Sequence, residues 1–231
     1  EKKGNDVVAR TLKAVPAHAP QSFLEALSMF RIIHFTMWCG RNYHNTVGRF
    51  DQYIYPYLKA DLDKGLYTEE NALELLEEFF LTFNRDSDLY PGMQQGDNGQ
   101  SLVLGGLNED GSDSYNLLSE LCLKACLELK VIDPKINLRV HEKTPLGTYI
   151  LGTQLTKQGL GFPQYSNDDV VIPGLMELGY KKEDAYRYVV AVSIFFLIPH
   201  IEALSFTKAV SDAAMEKLEQ CRSYDEFEKA V

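Results

Sequence analysis

The chain has 231 residues, 45% of them hydrophobic and 24% charged, a composition suited to one domain with a sizeable core. Its net charge of −10, with no basic stretch, excludes nucleic acid and anionic membrane as expected partners, because nothing is arranged to neutralise phosphates. No run of about 18 apolar residues suggests a membrane span, and the opening EKKGNDVVAR lacks the apolar centre of a secretory leader.

A helix is expected from Ser22, where Ser22 and Glu25 form a Ser-x-x-Glu capping box. Phe23, Ala26, Leu27, Phe30, Ile33 and Met37 follow as an apolar stripe at helical spacing. A second helix is predicted from Thr68 to about Phe83, buried through Leu73, Leu76, Phe80 and Phe83, with acids crowding its first half. Further helices are expected over about Tyr115 to Lys130, after Thr144 with Pro145 at the first helical position and Gly159 just past the end, and over Val171 to Leu178, stopping at Gly179. Another begins near Lys182, and the last two cover Thr207–Cys221 and the segment from Ser223, capped by Ser223 and Glu226. Strands are predicted at Ser101–Leu104, Ile136–Val140, Val189–Ser193 and Ile194–Ile198. Strands alternating with helices imply an α/β fold with parallel pairing. The capped helix at Ser223 has about two turns before the final Val231, which fits either a frayed terminus or a chain cut from something longer.

Three segments are dense in Gly, Asn, Asp and Gln: residues 38–57, 88–106 and 159–175. Polar groups mixed with glycine and aromatics suit loops that close over a ligand, and they equally suit turns at strand ends. Asp86, Asp88, Asp97 and Asn98 could supply oxygen ligands, but their spacing is not that of an EF-hand, and the five histidines show no zinc-type pairing, so no metal is expected. The four cysteines are Cys39, Cys122, Cys126 and Cys221. They are too few for a disulfide framework, which points to a reducing, cytoplasmic setting. Cys122 and Cys126 share an apolar helical face and read as buried and inert.

VPAHAPQSFLEAL, GRFDQYIYPY, GMQQGDNGQSLVLGG, DPKINLRV, GFPQYSNDDVVIPGL and ALSFTKAV occur in this order along the chain. Together they resemble the pyruvate formate-lyase domain of the glycyl radical enzymes, more the lyase, dehydratase and decarboxylase branches than pyruvate formate-lyase proper. The resemblance spans about residues 15–231. It implies an α/β fold, here a partial (half) barrel of parallel strands with surrounding helices, taken from the family's ten-stranded barrel. Residues 1–231 would then be a single partial domain of that type, without the glycyl radical segment. The family's chemistry belongs to anaerobic metabolism. A separate S-adenosylmethionine iron-sulfur activase installs a glycyl radical, which draws a hydrogen atom from the cysteine of a Cys-x-Glu loop, and the glutamate serves as acid or base.

Two departures follow from that resemblance. The Arg-Val-x-Gly-aromatic motif is absent, and the segment YVVAVSIFFLIPH places Ser193 at the cysteine and Phe195 at the glutamate. The resemblance also puts Trp38, Arg41, Asn42 and His44, with Gln95, Asp97, Gln100 and Ser101, where relatives line the substrate pocket. It makes Arg49 and Asp51 a structural ion pair or strand-end contact, and it has Asn167, Asp168 and Asp169 satisfying backbone groups under the cysteine loop. The expected function is that of a partial or degenerate glycyl radical enzyme, inactive alone. The alternative is a non-catalytic module that binds small molecules or a partner. No bound cofactor is expected. Expected partners are a second copy, a complementing remainder of the enzyme, and an activating enzyme in full-length relatives.

Overall fold

Three short strands lie parallel at the centre of the molecule: β1 (Ser101–Gly105), β2 (Lys135–Val140) and β3 (Gln164–Asn167), in spatial order β1-β2-β3. The computed structural model of the protein describes residues 2–39, 46–85, 100–191 and 195–197. Val103 pairs with Asn137 and Asn137 with Gln164, and two residues later Gly105, Arg139 and Ser166 stand side by side. A further rung flanks β1 on its other edge: Val47 N–H donates to Ser101 O at 2.7 Å and Val103 N–H to Gly48 O at 2.8 Å.

Successive side chains on a strand alternate between faces, and the packing follows that rule. Leu102, Leu104, Ile136, Leu138 and Val140 face the helices. There they pack with Phe79, Phe80 and Phe83 of α5 (Glu69–Arg85), with Leu118, Leu121 and Cys122 of α6 (Leu117–Leu129), and with Leu155 of α7 (Leu146–Thr156). Each fully buried Leu or Phe here contributes about 1.5–3 kcal/mol relative to exposure. Val103 faces the other way, into a second cluster with Ile172 of α8 (Asp168–Glu177), Ala185 of α9 (Lys182–Tyr186), Tyr188, Val189 and Val190. Because both faces of β1 are covered, all five of its residues are buried. Strands β4 (Val189–Ala191) and β5 (Phe195–Leu197) form an antiparallel pair, Ala191 opposite Phe195.

The parallel, helix-covered sheet is the α/β arrangement the sequence implied. Differences lie at particular positions. Helix α1 (Lys2–Ala14) was not expected, nor were α3 (Phe50–Tyr53) and α4 (Tyr55–Asp63), which occupy part of the first polar segment. Strand β3 lies inside the third. In α2 (Phe23–Cys39), Ser22 Oγ accepts from Glu25 N–H at 3.3 Å, but Glu25 reaches back to Gln21 N–H rather than to Ser22. The predicted stripe departs further on. Ile33 and Met37 are 46% and 41% exposed, and His34, 3% exposed, takes the inward position against Phe30 and Phe83. Pro145 is the N-cap of α7 rather than its first residue, because its extended ψ of 142° precedes the helical turn. Asn116 caps α6, accepting from Leu118 and Ser119 N–H while Ser119 Oγ accepts from Asn116 N–H. The helices expected at Thr207–Cys221 and from Ser223 lie outside the described residues.

Candidate functional site

The sheet face turned away from α5–α7 carries Ser101, Val103 and Gly105 from β1, Lys135, Asn137 and Arg139 from β2, and Gln164 and Ser166 from β3. Toward the C-terminal ends of the strands this face holds a buried ionic cluster. Arg139 and Asp168 form a two-pronged pair, with Nε to Oδ1 at 2.9 Å and Nη2 to Oδ2 at 2.8 Å, both side chains fully buried. Asp168 also accepts from Leu107 N–H at 2.7 Å and from the Tyr188 hydroxyl at 2.6 Å. The Tyr188 ring stacks under the guanidinium, whose carbon lies 4.0 Å from the ring centroid. Burial pushes the Tyr188 phenol up, so it stays protonated and can donate.

The remaining guanidinium nitrogen is turned onto the chain that leads into β4. Arg139 Nη1 donates to Tyr186 O at 3.0 Å and to Tyr188 O at 3.2 Å. Arg49 joins it on Tyr186 O at 3.3 Å. Burial, reinforced by the neighbouring Arg139 charge, pushes the Arg49 guanidinium down to about 10, so it remains cationic at neutral pH. Gly106 makes the cluster possible: a Cβ there would sit 2.6 Å from Arg139 Nε and 2.8 Å from Asp168 Oδ2, and its φ of +99° is one that other residues rarely adopt.

Arg49 and Asp51 both hold the end of β1. Arg49 Nη2 donates to Gly105 O at 3.3 Å, and Asp51 Oδ2 accepts from Gly105 N–H at 2.7 Å and from Ser119 Oγ at 2.6 Å. This is the strand-end contact expected of them. Asn167 and Asp169 satisfy backbone groups, the first accepting from Asp169 N–H and the second from Glu142 N–H. Asp168 does so for Leu107 and carries the ion pair as well. Cys122 and Cys126 are buried, and burial pushes both thiols up.

Of the pocket residues expected from sequence, Gln100 and Ser101 are described in full. They are adjacent at the start of β1 and point to opposite faces. Gln100 turns toward the helices, where Nε2 donates to Phe83 O at 3.2 Å, so it ties β1 to the end of α5 instead of facing the same side as Asn137 and Arg139. Ser101 is on that side and buried. Trp38 lies in α2 and Phe195 in β5, with the placement of their side chains outside the description. Arg41, Asn42, His44, Gln95, Asp97 and Ser193 lie outside the described residues, as do the oxygen-ligand candidates Asp86, Asp88 and Asn98. By count, Ser193 is the middle of the three residues joining β4 to β5. Among the described residues no group of three or more His, Cys, Asp or Glu could hold a metal ion, and no helix is long and apolar enough to cross a membrane. Sequence reasoning missed the Arg139–Asp168–Tyr188 cluster. Its signal was the alternation in KINLRV, where Lys135, Asn137 and Arg139 are polar on the face opposite Ile136, Leu138 and Val140.

A parallel sheet with helices packed against both faces, and a buried ionic cluster on the face opposite α5–α7, defines an α/β protein. The family model described as "PFL-like: Pyruvate formate lyase-like" matches residues 6–194, most of the chain. The chain therefore belongs to the pyruvate formate lyase-like family of glycyl radical enzymes. Ser193 lies inside the matched span, and Phe195 and ALSFTKAV lie beyond it. The chain is 31% identical over 192 residues to the (2S)-3-sulfopropanediol dehydratase of Klebsiella oxytoca, covering 80% of this chain and 23% of that protein. It is 30% identical over 174 residues to the 4-hydroxyphenylacetate decarboxylase glycyl radical subunit of Clostridioides difficile, covering 73% and 19%. The crystal structure of hydroxyproline dehydratase from Clostridioides difficile, with trans-4-hydroxy-L-proline bound, superposes with a TM-score of 0.78 at 27% identity, over 85% of this chain and 26% of that one. The chain thus spans about a quarter of the length of the relatives it matches.

Proposed function

We propose that this chain forms part of the catalytic barrel of a glycyl radical enzyme of the dehydratase, lyase and decarboxylase type, and that its own relay loop does not carry the radical. The observation behind this reading is the hairpin: β4 and β5 pair with Ala191 opposite Phe195, and the intervening three residues hold Ser193 where relatives resemble Cys-x-Glu. A serine O–H bond is much stronger than a thiol S–H bond, so a glycyl radical gains nothing by abstracting its hydrogen. Each additional 1.4 kcal/mol of barrier costs about tenfold in rate. Phe195 has no proton to give or take, and a positioned acid–base group contributes about 10²–10⁴-fold.

The pocket wall would be built from the segments around Trp38, Arg41, Asn42 and His44, from Gln95 and Asp97, and from Ser101 at the start of β1. The substrate class would be a small polar molecule of the kind the relatives act on. The radical would come from a glycine on another stretch of polypeptide, activated by a separate radical S-adenosylmethionine enzyme. The test uses the whole polypeptide that carries these residues, activated without oxygen and offered hydroxyproline, propanediols, sulfopropanediol and hydroxyphenylacetate. The natural sequence is expected to give no product, and the Ser193→Cys/Phe195→Glu variant to give product from at least one substrate. Turnover by the natural sequence would overturn the reading.

A further inference from the structure

The Arg139–Asp168–Tyr188 cluster is more elaborate than sheet stability requires. Replacing a buried ion pair with well-packed apolar side chains is often neutral or stabilising, so directional contacts are what such a pair adds. Here the guanidinium nitrogen left over from the ion pair is aimed at one place. Arg139, fixed on β2, bonds the carbonyls of Tyr186 and Tyr188, on either side of Arg187. Arg49, which also holds the end of β1 through Gly105 O, bonds the Tyr186 carbonyl from a second direction. Asp168, at the first turn of α8, orients the Arg139 fork and takes the Tyr188 hydroxyl. Asp168 is held in turn by Leu107 N–H, just past β1. Three elements thus fix a stretch of main chain that ends one residue before β4 begins.

We propose that Arg139, Asp168, Tyr188 and Arg49 are positioning residues that set the depth and direction in which the β4–β5 hairpin leaves the sheet. None of the four is assigned a part in the chemistry. Arg139 defines the angle through two carbonyl contacts, Tyr188 fixes rotation about the strand axis by anchoring its ring and hydroxyl separately, and Arg49 ties the hairpin root to β1. The inference deepens the proposed function, because this hairpin contains Ser193, but it stands on contacts whose readout is independent of turnover.

Amide hydrogen exchange on the full chain tests it. Tyr188→Phe keeps the ring beneath the guanidinium and removes one hydroxyl. Arg49→Gln leaves the ion pair intact and removes the second support. In both, the amides of Val189, Val190 and Ala191 are expected to exchange about tenfold faster or more, as for loss of one hydrogen bond to a charged group, while amides of β2 keep their wild-type rates. Leu155→Val, in the helix-facing core, serves as the control and should not loosen the hairpin selectively. Unchanged hairpin exchange in both variants, or equal loosening in the control, would overturn the proposal. Absence of product from the Ser193→Cys/Phe195→Glu variant would count against the functional reading and leave this one standing.

Discussion

Asp168→Asn measures what the buried cluster contributes to stability. The carboxylate accepts from four donors: Arg139 Nε at 2.9 Å, Arg139 Nη2 at 2.8 Å, Leu107 N–H at 2.7 Å and the Tyr188 hydroxyl at 2.6 Å. Asparagine preserves the shape but offers one oxygen, and its amide N–H groups face donors. It also leaves the fully buried Arg139 charge without its counter-ion. Breaking a buried pair from one side costs about 3–5 kcal/mol. With a urea m-value of about 3 kcal/mol/M, the upper end for small proteins, the unfolding midpoint should fall by about 1–1.7 M with m unchanged. Arg139→Met/Asp168→Leu should recover part of that loss, because it removes both charges together. A midpoint shift of Asp168→Asn under about 0.3 M, which is under about 1 kcal/mol, would refute the reasoning.

Gly106→Ala should destabilise by at least as much as a strained left-handed alanine, about 1 kcal/mol or more, because the added Cβ lies 2.6 Å from Arg139 Nε; urea unfolding checks it, and a neutral effect would contradict the packing. Burial raises the Asp51 carboxyl above its ordinary value of 3.8, against the lowering effect of its bonds from Gly105 and Ser119. The folded state therefore binds that proton more tightly than the unfolded chain, and the stability this contributes is present below 3.8 and lost as pH rises through the raised folded value. Asp51→Asn removes this term, so its stability relative to wild type should improve across that window and level off above it; a difference independent of pH would contradict the assignment. Cys39 is exposed while Cys122 and Cys126 are buried with thiols pushed up, so native alkylation should modify Cys39 and leave the other two untouched until denaturant is added, as peptide mass mapping would show.

The elements legible in the sequence were those whose apolar residues all face one way or whose ends carry turn chemistry. Strands β1 and β2, the α5 face of Leu76, Phe80 and Phe83, and the stop of α8 at Gly179 are of that kind. Strand β3 escaped because QYSN buries only Ser166 fully and reads as polar loop. Helices α3 and α4 escaped because Tyr, Asp and Pro in DQYIYPY resemble turn composition, while Phe50, Ile54 and Leu58 at helical spacing supply the buried side. His34 displaced Ile33 and Met37 from the core because an inward position was filled by an aromatic, hydrogen-bonding ring rather than an aliphatic one. At the candidate site, Arg49, Asp51 and the Asn167–Asp169 run were legible as backbone contacts. The Arg139–Asp168–Tyr188 cluster joins residues 20 to 49 positions apart: the β2–β3 register sets Arg139 beside Ser166, Asp168 follows β3 directly, and Tyr188 reaches them through packing that no local pattern encodes.

The central claim is that Ser193 stands where the relatives' relay cysteine stands. An experimental structure of the whole polypeptide with a small hydroxylated ligand bound tests it most directly. The account predicts Ser193 on a hairpin tip turned inward, beside the segment that leads from Gln95 to Ser101 and facing the ligand. Ser193 on the outer surface, away from that segment, would contradict it.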